Sequence, residues 1–152
     1  MLATWLSGFG RPGRAASERG VIALRIVLVD DDERLAELLR VNFELDDRFE
    51  LVGWAPNGLE GINLVQAARP DAVLMDLNMP VLDGIAATRQ ILAADPQACV
   101  IAFTASRESA EHDAAIEAGA ATVLAKPFDP VAFLDAFEQH ARRCTKRRAD
   151  AA

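Results

Sequence analysis

Ile26-Val27-Leu28-Val29-Asp30-Asp31-Asp32 runs four apolar residues straight into three carboxylates. Successive side chains of a strand point to opposite faces, so an unbroken apolar run needs cover on both sides. A half-exposed strand would alternate instead. The stretch therefore reads as a strand in the middle of a covered sheet. Its carboxylates mark where the chain leaves that sheet.

The same pattern recurs. Ala72-Val73-Leu74-Met75 ends on Asp76, Val100-Ile101-Ala102-Phe103 on Thr104, and Thr122-Val123-Leu124-Ala125 on Lys126. Leu51-Val52-Gly53-Trp54-Ala55 is a further strand, turned by Pro56-Asn57-Gly58. Helical spacing fills the intervals. Leu35, Leu38, Leu39 and Phe43 share one side; Leu59, Ile62 and Val65 recur before Pro70; Ile85 and Leu92 mark a third helix. An Ala-rich stretch over 107–118 stops at Gly119, a residue suited to the position after a helix end. Asp129-Pro130 opens a last helix, with Asp as N-cap and Pro at the first helical position. Five strands alternating with five helices predict an α/β fold, a doubly wound parallel sheet covered on both faces.

In such a sheet, ligands bind beyond the carboxyl ends of the strands. Asp30, Asp31, Asp76, Thr104 and Lys126 all fall there. Carboxylates held close without a cation raise one another's pKa. A hard divalent ion relieves that repulsion, and Mg²⁺ is commonly held by one or two carboxylates beside a phosphate. A lysine and a hydroxyl complete a set suited to phosphoryl transfer, where positioning and charge neutralisation do most of the work. Asp32 reads instead as the cap of the first helix.

With these residues in place, the chain resembles the receiver domain of two-component response regulators from about Arg25 to Arg143. The resemblance rests on Val29-Asp30-Asp31-Asp32, Asp76-Leu77-Asn78-Met79-Pro80 with Asp83-Gly84, Thr104-Ala105, and Lys126-Pro127-Phe128. It implies a flavodoxin-like (βα)5 sheet in the order 2-1-3-4-5, and a signalling module rather than an enzyme. Asp76 would be the phosphoacceptor, charged by a histidine kinase or histidine phosphotransfer protein and discharged by hydrolysis. Asp30, Asp31, Asp76 and the Asn78 backbone carbonyl would hold Mg²⁺, for which Mn²⁺ can substitute. Thr104 and Lys126 would contact the phosphoryl oxygens, and Ala105 would leave room for the group. Pro80 and Gly84 would shape the loop beside the acceptor, and the Lys126–Pro127 bond would be cis. The downstream contact, with a protein effector or a second copy, would use the fourth helix, fifth strand and fifth helix. One departure stands out: receivers often carry an aromatic switch residue three positions before the lysine, and here it is Val123. The alternatives are a small Mg²⁺-dependent aspartyl phosphatase with Asp30 as nucleophile, or a receiver serving only as a scaffold.

The 152 residues suit one domain, expected over 24–143. Residues 1–23 are expected to be a flexible extension and 144–152 a basic tail, with no output domain. A net charge of −7 opposes direct nucleic-acid binding, and no apolar run is long enough to span a membrane. His112 and His140 read as surface or boundary residues. Cys99 and Cys144 are far apart in the chain and are expected to be unpaired, which favours a reducing, cytoplasmic location.

Overall fold

The computed structural model describes Gly20, residues 22–126 and residues 129–152. The sequence expectations for residues 1–19 and for the Lys126–Pro127 bond lie outside the described residues. The chain folds as β1 (Leu24–Val29), α1 (Glu33–Glu44), β2 (Phe49–Ala55), α2 (Gly58–Ala68), β3 (Ala72–Asp76), α3 (Gly84–Ala94), β4 (Val100–Thr104), α4 (Ser109–Glu117), β5 (Thr122–Ala125) and α5 (Pro130–Ala151). The strands are parallel, in the order β2-β1-β3-β4-β5, as expected.

Strand pleating divides β1 between two cores. Leu24, Ile26 and Leu28 face α1 and α5, where Leu39, Phe43, Phe133 and Phe137 pack against them. Val27 and Val29 face α2 and α3, with Ile62, Ala87 and Ile91. A smaller cluster of Leu77, Ala102, Ala115 and Ala120 seats α4, with Val123 and Ile85 against it. The ring of Phe137 is fully buried and meets Phe43 edge-on at 5.8 Å between centroids.

Each helix except α4 begins on a side-chain cap. Asp32 accepts from the amides of Arg34 and Leu35, Asn57 from Glu60, Asp83 from Ala86, and Asp129 from Val131 and Ala132. Such caps satisfy amides that have no partner within the helix. Glu108, at the corresponding place before α4, makes no side-chain cap bond. Helix α5 has 22 residues, so the basic stretch after Arg143 continues it rather than leaving the fold. Arg148, near its end, donates to Asp95 Oδ2 at 2.8 Å.

The cysteine expectation is corrected. Cys99 and Cys144 form a disulfide across Cα atoms 5.8 Å apart. A sequence separation of 45 residues hides the contact. Cys99 stands just before β4, and α5 runs back down the sheet until Cys144 reaches it. Paired in this way, the two cysteines no longer favour a reducing compartment.

Candidate functional site

The sheet direction delivers the polar residues to one edge. β1 ends before Asp30, β3 ends on Asp76, β4 ends on Thr104, and Lys126 follows β5. Asp30, Asp76 and Thr104 are buried, and Asp31 beside them is exposed. Asp30, Asp31 and Asp76 each present a carboxylate oxygen within 4.8 Å of the others. Lys126 Nζ lies 3.2 Å from Asp30 Oδ2 and 3.4 Å from Asp76 Oδ1. The same ammonium sits 5.2 Å from the centroid of the Phe103 ring.

Local contacts fix these groups. Asp30 Oδ1 accepts from the Asp32 amide at 2.8 Å, and its carbonyl accepts from Trp54 Nε1 at 2.9 Å. Asp76 Oδ1 takes the Asn78 amide at 3.4 Å, a long bond. Asp76 Oδ2 is buried with no hydrogen-bond partner among the described residues. Asp30 Oδ2 faces Lys126 but lacks hydrogen-bond geometry. The loop after Asp76 turns through Val81, a β-branched residue at φ 69°, and returns at Gly84. A Cβ on Gly84 would strike the Asp76 carbonyl oxygen, so glycine is what lets α3 start against the acceptor strand.

Burial pushes the Asp76 carboxyl up to about 7, and the neighbouring Asp30 carboxylate adds to the shift. Burial likewise raises Asp30. Burial also works against the Lys126 charge, but Asp30 and then Asp76 outweigh it and hold the ammonium above its ordinary value. The cluster is thus short of positive charge. Its donors are all oxygen, and one buried oxygen is unpartnered. That set fits a hard divalent cation and offers nothing for a softer metal.

The model of the "Response regulator receiver domain" matches residues 26–138. The chain belongs to the response regulator receiver family. This receiver is 36% identical over 119 residues to chemotaxis protein CheY of Listeria monocytogenes, covering 78% of this chain and 99% of that one. It is 35% identical to a protein-glutamate methylesterase/protein-glutamine glutaminase of Pseudoalteromonas translucida, covering 73% of this chain but only 29% of that protein. Among solved structures, a two-component response regulator of the LuxR family from Aurantimonas matches with a TM-score of 0.74 and 35% identity, over 79% of this chain and 86% of that one. A chain of the CheX-CheY-BeF3-Mg²⁺ complex from Borrelia burgdorferi matches with a TM-score of 0.70 and 26% identity, over 78% of this chain and 88% of that one. These relatives disfavour the aspartyl phosphatase alternative. No described helix is long and apolar enough to cross a membrane.

Two residues at the receiver site escaped sequence reasoning. Trp54 reads as a core residue of β2, yet its indole pins the Asp30 carbonyl. Glu111 reads as one more acid on α4. Its Oε1 accepts from Asn78 Nδ2 at 2.8 Å and from Thr104 Oγ1 at 3.3 Å. No periodicity marks it, because its partners lie 33 and seven residues away. His112, one residue on, places Nε2 2.9 Å from the Ser106 carbonyl oxygen. His140 is half-buried on α5, away from the strand ends.

Proposed function

We propose that Asp76 is the phosphoacceptor of a two-component pathway within a receiver unit spanning 24–143. The supporting observation is its Oδ2, a buried and unpartnered carboxylate oxygen at the end of β3. That oxygen attacks the phosphorus of a partner's phosphohistidine. The P–N bond breaks, the imidazole leaves and takes up a proton, and an acyl phosphate remains on Asp76. Water later attacks phosphorus, the P–O bond to Asp76 breaks, and inorganic phosphate leaves.

The residues divide the work. Asp30, Asp31, Asp76 and the Asn78 carbonyl would hold Mg²⁺ or Mn²⁺, which would supply neutralisation of the charge on the transferring group. The similar structure from Borrelia is a CheX-CheY complex with BeF3 and Mg²⁺, in support of that cation. Lys126, already within 3.4 Å of Asp76, pairs with one phosphoryl oxygen. Thr104 gives its hydroxyl hydrogen to another. Ala105 leaves space for entry. The Asp30 carbonyl, held by Trp54, keeps the first carboxylate in register.

The phosphoryl donor is a histidine kinase or a histidine phosphotransfer protein, and the module acts in the cytoplasm. A protein effector or a second copy reads the face formed by α4, β5 and α5. A net charge of −7 leaves direct nucleic-acid binding unfavourable. Incubation with acetyl phosphate and Mg²⁺, followed by intact mass, tests the proposal. One phosphoryl group is expected, lost with EDTA and lost in Asp76→Asn. Undiminished labelling of Asp76→Asn would place the acceptor elsewhere.

A further inference from the structure

We propose that Glu111 is a resting-state latch: its carboxylate holds the Thr104 hydroxyl and the Asn78 amide, and its release passes phosphorylation on to α4. The latch rests on the reading of Asp76 as acceptor and adds the regulation of that site.

The contact joins three segments through a single oxygen. Glu111 Oε1 receives Asn78 Nδ2 from the loop after β3 and Thr104 Oγ1 from the end of β4, while Glu111 itself lies in the first turn of α4. A threonine hydroxyl carries one hydrogen. In the resting protein that hydrogen goes to Glu111, and the hydroxyl oxygen accepts from the Ser106 amide at 3.0 Å. A phosphoryl group on Asp76 must take the same hydrogen. It also brings about −1.5 to −2 of charge toward a carboxylate. Competition and repulsion both drive Glu111 away from Thr104 and Asn78.

Helix α4 is built to respond. Its N-cap has no side-chain bond, and Ala115 is its one buried residue. Its apolar seat is the small cluster of Leu77, Ala102, Ala115 and Ala120. Losing one polar tie therefore removes a large share of what fixes its first turn. His112 carries the movement to the loop after Thr104 through the Ser106 carbonyl. Val123 packs against the same cluster but is short and stiff at χ1, so it lacks the reach of an aromatic ring. The polar bridge supplies a coupling that Val123 does not.

A bare first-turn acid would stabilise α4 through the helix dipole alone. The two roles separate experimentally. Glu111→Gln keeps an oxygen acceptor and removes the charge; Glu111→Ala removes both. Phosphorylation rates with acetyl phosphate and amide chemical shifts are measured for each. The latch predicts that Glu111→Ala is phosphorylated about two- to fivefold faster than the parent, the factor for one weak hydrogen bond, since 3.3 Å is long for an O–H···O contact. Glu111→Gln should fall between. Without phosphoryl donor, the amides of 107–118 in Glu111→Ala should move along the line joining the free and beryllofluoride-bound parent. In a Thr104→Val background the gain from Glu111→Ala should shrink, since no hydroxyl is left to free. Parent-like rates and shifts in Glu111→Ala, or an undiminished gain on Thr104→Val, would overturn the latch while leaving the acceptor reading intact. A parent protein that takes no phosphoryl group at Asp76 would overturn both.

Discussion

At the carboxyl ends of the strands, Asp30 and Asp76 are buried beside one another, each with an oxygen lacking a hydrogen bond among the described residues. At the opposite ends, most polar groups are tied down, although Arg142 Nη2 is buried with no hydrogen-bond partner among the described residues. Cys99 and Cys144 form a disulfide, and the Arg25 guanidinium donates to the carbonyls of Ala68 and Arg69. Arg48 gathers Asp46, Asp135 and Glu138. Cys99, just before β4, and Thr104, at its end, are five residues apart, about 16 Å along the strand direction. One short sheet thus carries a frustrated edge and a fastened one. Poorly satisfied groups persist only where the surrounding structure over-determines them. The fastened edge and the two apolar cores hold the charged edge in place.

The largest effect should come from the fastened end. Cys144→Ser, measured by urea unfolding without reductant, should lose about 2–4 kcal/mol, because the bridge closes a long loop in the unfolded chain. Acetyl phosphate labelling of the folded variant should stay within about twofold of the parent, as expected for distant and independent sites. A tenfold change in rate would show that the two ends are coupled. Next comes Gly84→Ala, which sets a Cβ against the Asp76 carbonyl oxygen. Overpacking of this kind costs about 1–3 kcal/mol, and the displaced acceptor should be labelled more slowly. Parent-like stability and labelling would mean that the loop gives way freely.

The frustrated end should show itself in pH dependence. The folded-state value of Asp76 is about 7, against an ordinary 3.8, because of burial and then Asp30. A raised folded value favours the fold at pH below the unfolded value, and that advantage is lost as pH rises through about 7. Asp30 is shifted the same way. Metal-free protein should therefore be less stable at pH 8 than at pH 5, by about 2 kcal/mol after allowance for relaxation. Asp76→Asn should flatten the profile, and Mg²⁺ at pH 8 should restore stability to the parent. A flat metal-free profile for the parent would mean that the carboxylates are not in conflict. The smallest effect belongs to Trp54→Phe, which keeps the ring and removes the bond to the Asp30 carbonyl. About 1 kcal/mol of stability should go, with a modest loss of Mg²⁺ affinity by titration.

The strand ends were legible because a parallel βαβ chain leaves every strand at the same edge. Once Ile26–Val29 and Ala72–Met75 read as buried strands, Asp30 and Asp76 had to share one edge; that they are neighbours follows from the order 2-1-3-4-5, which the family resemblance implied. The helix caps Asp32 and Asp129 were legible for a local reason, since a cap and its amides lie within three residues. Trp54 and Glu111 were not. Their side chains reach across the sheet edge to Asp30, Asn78 and Thr104, and no spacing along the chain encodes that reach.

Chain order and apolar patterning by themselves determined the five-stranded sheet, its direction, and the set of groups at its working edge. Burial of both strand faces leaves few topologies open, and the chain's direction does the rest. Tertiary structure alone decided that Cys99 meets Cys144 and that Glu111 bridges Asn78 and Thr104. Separations of 45, 33 and seven residues carry no distance information. Those contacts depend on how far α5 runs down the sheet and where the first turn of α4 comes to rest, and packing sets both.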